Sequence, residues 1–179
     1  GRVVAWLKAN AGRIAPLTGQ DLRTGAVVGL DMCAGSPLVA SNPAENAATP
    51  FTQRVFAVME KAGASIGVGG YDEARLIYST DAYATGPVTA ERRTVHIGID
   101  VTMRQGAPLY APLDGVVHGF EDAAARLDYG PVIVLRHDIP GNDDQPVSFF
   151  TLYGHLDRAS LEGLHVGKAI KAGDRFAAI

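Results

Sequence analysis

From Val95 to the last residue the chain is cut into short apolar segments by turn signals about every 8–12 residues, and that rhythm leaves room for little except β structure. The segments are Val95–Met103, Pro108–Tyr110, Gly115–Phe120, Val132–His137, Val147–Tyr153, and Ala169 with Arg175–Ile179. Between them stand Arg104-Gln105-Gly106, Leu113-Asp114-Gly115, Asp128-Tyr129-Gly130 and the run Pro140-Gly141-Asn142-Asp143-Asp144. Gly, Pro, Asn and Asp interrupt regular structure, each through its own backbone or side-chain chemistry. The segments are shorter than the roughly 10–12 residues an amphipathic helix needs. Residues 91–179 are therefore expected to form a mainly-β domain, a half-open sandwich or barrel.

The first of these segments carries chemistry. In His96-Ile97-Gly98-Ile99-Asp100-Val101 the apolar residues alternate with His96, Gly98 and Asp100, so one face of a strand is apolar and the other polar. Imidazole and carboxylate are common ligands of divalent cations at sites without thiolates. In a straight strand, however, four residues at about 3.3 Å each set the two Cα atoms roughly 13 Å apart. A shared ion requires a bend between them, and Gly98 is the residue that permits one.

Upstream, residues 1–90 are expected to be an α+β region. Residues 1–14 suit a short helix ended by Gly12 and Pro16. Val27–Met32 suits a buried strand, followed by a polar loop from Gly35 to Thr49 in which Asp31 and Ser36 suit turn roles better than a site. Thr49-Pro50 predicts a helix N-cap and first-turn proline, with a core stripe of Phe51, Val55, Val58, Met59 and Ala62 and a stop at Gly63. Gly67–Gly70 reads as a turn, Tyr71–Tyr78 as the approach to a strand, and Ser79–Ala90 as a linker of small residues.

Bulk properties narrow the function. The formal net charge is -3 and no Lys/Arg-rich run occurs, which argues against nucleic acid as a partner. Cys33 is the single cysteine, so no internal disulfide or thiolate cluster can form, which fits a reducing, cytoplasmic setting. No apolar run approaches the ~20 residues of a membrane helix, and the first residues do not suit a signal peptide. The chain reads as a piece of a longer polypeptide. A lipoyl-type carrier is set aside because no lysine lies between Val116 and Val166.

Two further histidines close strand segments, His137 after Val132–Arg136 and His155 in Phe149-Phe-Thr-Leu-Tyr-Gly-His-Leu156. In the latter, Thr151, Tyr153 and His155 share one face. His118 and His165 have nothing that lifts them above surface residues.

Five blocks in order carry a resemblance: His96-Ile-Gly-Ile-Asp100, Gly106-Ala-Pro-Leu-Tyr-Ala-Pro-Leu-Asp-Gly-Val-Val117, Tyr129-Gly-Pro-Val-Ile-Val-Leu-Arg-His137, Thr151-Leu-Tyr-Gly-His-Leu156 and Gly167-Lys-Ala-Ile-Lys-Ala-Gly173. Together they resemble the lysostaphin/LytM-type zinc metallopeptidases. The resemblance implies that His96 and Asp100 are zinc ligands. It implies that His155, with Tyr153, assists the reaction near the scissile bond, and that the substrates are Gly-rich peptides. It also implies a third ligand from a His-x-His strand; these 179 residues contain none, so that ligand is expected beyond Ile179. The isolated piece would then bind zinc weakly and lack activity.

The stretches Gly29-Leu-Asp-Met-Cys-Ala-Gly-Ser36, Gly70-Tyr-Asp-Glu-Ala-Arg75 and Glu91–Asp100 further resemble the middle region of bacterial fusions of a kinase, a LytM-like domain and a class III aminotransferase or phospho-lyase. That resemblance implies pyridoxal phosphate (PLP) only in a downstream domain, and other domains of the parent chain as partners. Oligomers could form through the aminotransferase part. The alternative role is a structural or channelling module for a small amine or amino acid, with Arg92 and Arg93 as phosphate partners.

Overall fold

The computed structural model describes residues 1–75, 94–124, 128–141 and 145–179. These are mostly β, with two α-helices and no closed barrel among the described residues. They form two compact units, Arg23–Met103 and, separately, Gly1–Leu22 with Arg104–Ile179.

In the unit Arg23–Met103, strand β1 (Val27–Leu30), the intervening helix and strand β2 (Ile66–Gly69) make a βαβ turn with β1 and β2 parallel. The helix spans Ala48–Lys61 and is α2, the shorter Arg2–Ala9 being α1. Val55 and Met59 are its buried residues and meet Leu30, Met32 and Leu38, with Phe51, Phe56 and Val58 packed around them. The expected stripe is thus present over Phe51–Met59, while Ala62 is exposed. The helix starts two residues earlier than predicted. Ala47 is its N-cap and contributes no side-chain bond, and Pro50 sits third in the first turn, where a missing N–H leaves no helical bond unmade.

Gly67–Gly70, read from sequence as a turn, is mostly strand. A Cβ on Gly67 would stand 2.4 Å from Leu30 Cδ1, so its bareness serves close packing and not chain reversal. Strand β3 (Glu73–Ala74) pairs antiparallel with β4 (Val95–His96), and β5 (Val101–Thr102) pairs antiparallel with β2. The linker expected at Ser79–Ala90 and the residues Leu76–Tyr78 lie outside the described residues.

In the other unit, β6 (Pro108–Tyr110) pairs with β11 (Arg175–Ala178). A four-stranded antiparallel sheet runs in the order β10 (Ala169–Ile170), β7 (Gly115–Ala123), β8 (Gly130–Ile139), β9 (Val147–Tyr153). Period-two alternation decides its faces. Ile133, Leu135, His137 and Ile139 are buried, whereas Phe150 and Leu152 of the neighbouring strand are exposed. A bulge between Val117 and Gly119 interrupts the β7–β8 register.

Candidate metal centre

The segment predicted as one strand, Val95–Met103, is two. β4 ends at His96, the chain bends at Gly98, and β5 begins at Val101 in a different sheet. The bend removes the 13 Å problem. His96 Nε2 stands 3.7 Å from Asp100 Oδ1, with both side chains partly exposed. Gly98 makes the fold-back possible, because a Cβ there would meet His96 Nε2 at 3.1 Å. The apolar residues between the pair are exposed, Ile97 at 73% and Ile99 at 55%.

Asp100 is held from its far side. Arg75 Nη2 donates to Asp100 Oδ2 at 2.5 Å and to Glu73 Oε2 at 2.7 Å. Glu73 Oε1 accepts from Met32 N, just past the end of β1. Both Glu73 and Arg75 are buried, so the guanidinium is neutralised where it has lost its water. Gly69 makes room here, since a Cβ on it would stand 3.1 Å from Asp100 Cβ. Sequence reasoning did not single out Glu73 and Arg75. Their i, i+2 spacing was the available signal, because alternate residues of a strand face the same side.

Asp31, Cys33 and Glu73 also bring one ligand atom each to within 4.8 Å of one another. Their groups are occupied in other ways. Asp31 Oδ1 accepts from Cys33 N, and both Glu73 oxygens accept protein hydrogens. Hydrogen bonding to the Asp31 carboxylate, with some burial and the nearby charges of Asp31 and Glu73, raises the Cys33 thiol pKa and keeps it protonated. Ser36 Oγ donates to the Asp31 carbonyl and accepts from Leu38 N, as the turn reading expected.

Tyr153 and His155 belong to the other unit. His155 has φ of 57°, a left-handed conformation uncommon for a residue with a Cβ. Its N–H donates to Tyr129 O at 2.6 Å, and Leu156 N donates to Pro131 O, which ties the turn to the start of β8. The imidazole is thereby presented to solvent. Tyr153 lies half-buried with its ring edge-on to Phe176 at 4.9 Å. Burial pushes its phenol pKa up, and a hydrogen bond with the Thr151 side chain opposes this.

Thr151 Oγ1 also lies 2.8 Å from His137 Nε2, and His137 Nδ1 lies 2.8 Å from the Asp114 carbonyl. A carbonyl only accepts, so Nδ1 carries a hydrogen and donates it to Asp114 O, while Nε2 pairs with the Thr151 hydroxyl. His137 is fully buried and supports the site strand without facing solvent. His118 and His165 are exposed, as expected of surface residues. Arg92 and Arg93 lie outside the described residues.

Residues 94–179 match the model of Peptidase family M23. The match contains all four residues assigned from sequence, His96, Asp100, Tyr153 and His155. A Haemophilus influenzae protein described as an uncharacterized metalloprotease is 34% identical over 91 residues, which is 51% of this chain. The aligned stretch spans only 16% of that relative's length. No solved structure matches the chain significantly. No described helix is long and apolar enough to cross a membrane.

The His96–Asp100 donor pair suits one tetrahedral metal ion. Two ligands each about 2.0–2.1 Å from a tetrahedral ion stand roughly 3.4 Å apart. The 3.7 Å between Nε2 and Oδ1 is close to that separation.

Proposed function

We propose that residues 94–179 carry a zinc-dependent peptidase site of the M23 type, with His96 and Asp100 as two of the metal ligands and Tyr153 and His155 acting on the substrate. The observation that carries this reading is the convergence of His96 Nε2 and Asp100 Oδ1 to 3.7 Å within the family-matched stretch. Bound zinc supplies Lewis-acid polarisation of a carbonyl and a water acidic enough to ionise near neutral pH. The protein's part is to present the imidazole and one carboxylate oxygen without reorganisation. His155, exposed on its strained turn, offers an imidazole to hydrogen-bond a carbonyl oxygen or carry a proton to a leaving amine. Tyr153, its pKa raised by burial, stays a neutral hydroxyl donor at neutral pH.

The substrate class proposed is a Gly-rich peptide. The wider setting proposed, on resemblance alone, is a fusion with kinase and PLP-dependent aminotransferase domains, where pyridoxal phosphate belongs to another part of the parent.

Zinc content of the purified protein by elemental analysis, beside His96→Ala and Asp100→Ala, tests the reading. Metal is expected in the parent protein and lost in both variants. Metal kept at full occupancy in either variant removes that residue from the ligand set.

A further inference from the structure

We propose that Arg75 is a positioning residue for the metal pair: it fixes Asp100 through its side chain and the His96 strand through its main chain, and so sets the separation of the two donors. This rests on the metal-site reading above and adds to it a residue outside the family-matched stretch.

Arg75 N donates to Thr94 O at 2.7 Å, immediately before the strand that carries His96. The same residue's Nη2 reaches Asp100 Oδ2 at 2.5 Å. One residue thus touches both ends of the His96–Asp100 segment, once through its amide and once through its guanidinium. The bend at Gly98 leaves those ends free to open, and Arg75 spans them.

The guanidinium is itself fixed. Its side chain is 4% exposed, and it reaches Glu73 Oε2 through both Nε and Nη2. Glu73 is anchored in turn by Met32 N and pairs directly across from His96 in the β3–β4 ladder. A planar fork with set donor directions suits this double attachment, and a lysine ammonium does not reproduce it.

An ionised carboxylate has two oxygens, and Arg75 takes Oδ2. Oδ1 remains on the side of His96 Nε2. An unrestrained Asp could rotate and offer either oxygen, or both, whereas the ion pair selects one. Metal-ligating carboxylates commonly have their second oxygen hydrogen-bonded in this way, and loss of such a partner typically costs about 10–100-fold in metal affinity.

Titration of the 179-residue chain with Co2+, followed by its visible absorption and by competition with a chromophoric chelator, tests the proposal. The variants are the double change Glu73→Gln/Arg75→Met, which avoids leaving one buried charge unpaired, and Arg75→Lys. Arg54→Ala is the stability control, since Arg54 bonds Leu38 O and Asn46 away from the pair.

Affinity is expected to fall about 10–100-fold in the double variant with altered absorption bands. Arg75→Lys should fall between the double variant and wild type, and Arg54→Ala should keep wild-type binding. If the double variant does not fold, Arg75→Lys decides, and wild-type affinity and spectrum in it overturn the proposal. Unchanged Co2+ binding in a folded double variant overturns the role of Arg75 but leaves the metal site standing. A His96→Ala chain that binds Co2+ as well as wild type overturns both.

Discussion

Gly98 lies against the imidazole of His96: a methyl group added there would come within 3.1 Å of Nε2 and 3.2 Å of Cε1. The ring folds back over a residue chosen for having no side chain. Gly98→Ala is therefore expected to push the imidazole away from Asp100 while the sheets stay paired. The far-UV circular dichroism should remain that of the wild type, and Co2+ affinity should drop by about tenfold or more. Retained affinity would show that the ring has another resting place.

His137 should matter for stability and not for metal. It is 1% exposed and bonded at both ring nitrogens, to the Asp114 carbonyl and Thr151 Oγ1. His137→Leu takes the partner away from the Asp114 carbonyl and the Thr151 hydroxyl, both part-buried, at about 1–3 kcal/mol each. Urea denaturation is expected to show a loss of roughly 2–6 kcal/mol on that basis, with Co2+ affinity unaltered.

Tyr153 predicts an alkaline limit. Burial raises its pKa in the folded state, so folding favours the neutral phenol. The contribution is fully present below the unfolded value of about 10 and is lost as pH rises through the higher folded value. Wild type should lose more melting temperature between about pH 9 and 11 than Tyr153→Phe does. Parallel curves would place the tyrosine in free contact with solvent.

Cys33 should be a sluggish thiol. The Asp31 carboxylate beside it disfavours the thiolate, and the thiolate is the form that alkylates. Iodoacetamide at pH 8 is expected to modify it more slowly than an ordinary exposed cysteine, and Asp31→Asn should speed the reaction. An unchanged rate in that variant would exclude Asp31 as the cause.

The sequence made some of this legible and hid the rest for physical reasons. Val147–Tyr153 could be read to its ends because alternation and flanking turns agree, and β11 and α2 were close for similar reasons. The β8 strand runs longer than predicted, Gly130–Ile139 against Val132–His137, since ladder pairing recruits Gly130 and Pro131 against their propensities. The need for a bend between His96 and Asp100 followed from strand geometry alone. What sequence could not show was that the two halves of that bend enter different sheets. Nor could it show that a guanidinium 25 residues upstream closes on Asp100, because such pairing depends on tertiary approach and leaves no local pattern.

The division of β4 and β5 between sheets has a mechanical meaning. His96 is borne on the two-stranded ladder with Glu73–Ala74, while Asp100 leads into the ladder with β2. Any shear of one ladder against the other becomes a change in the gap between Nε2 and Oδ1. An ion gripping both atoms is then a rivet through a lap joint: it locks two thin plates of backbone together, and its grip is only as true as their alignment.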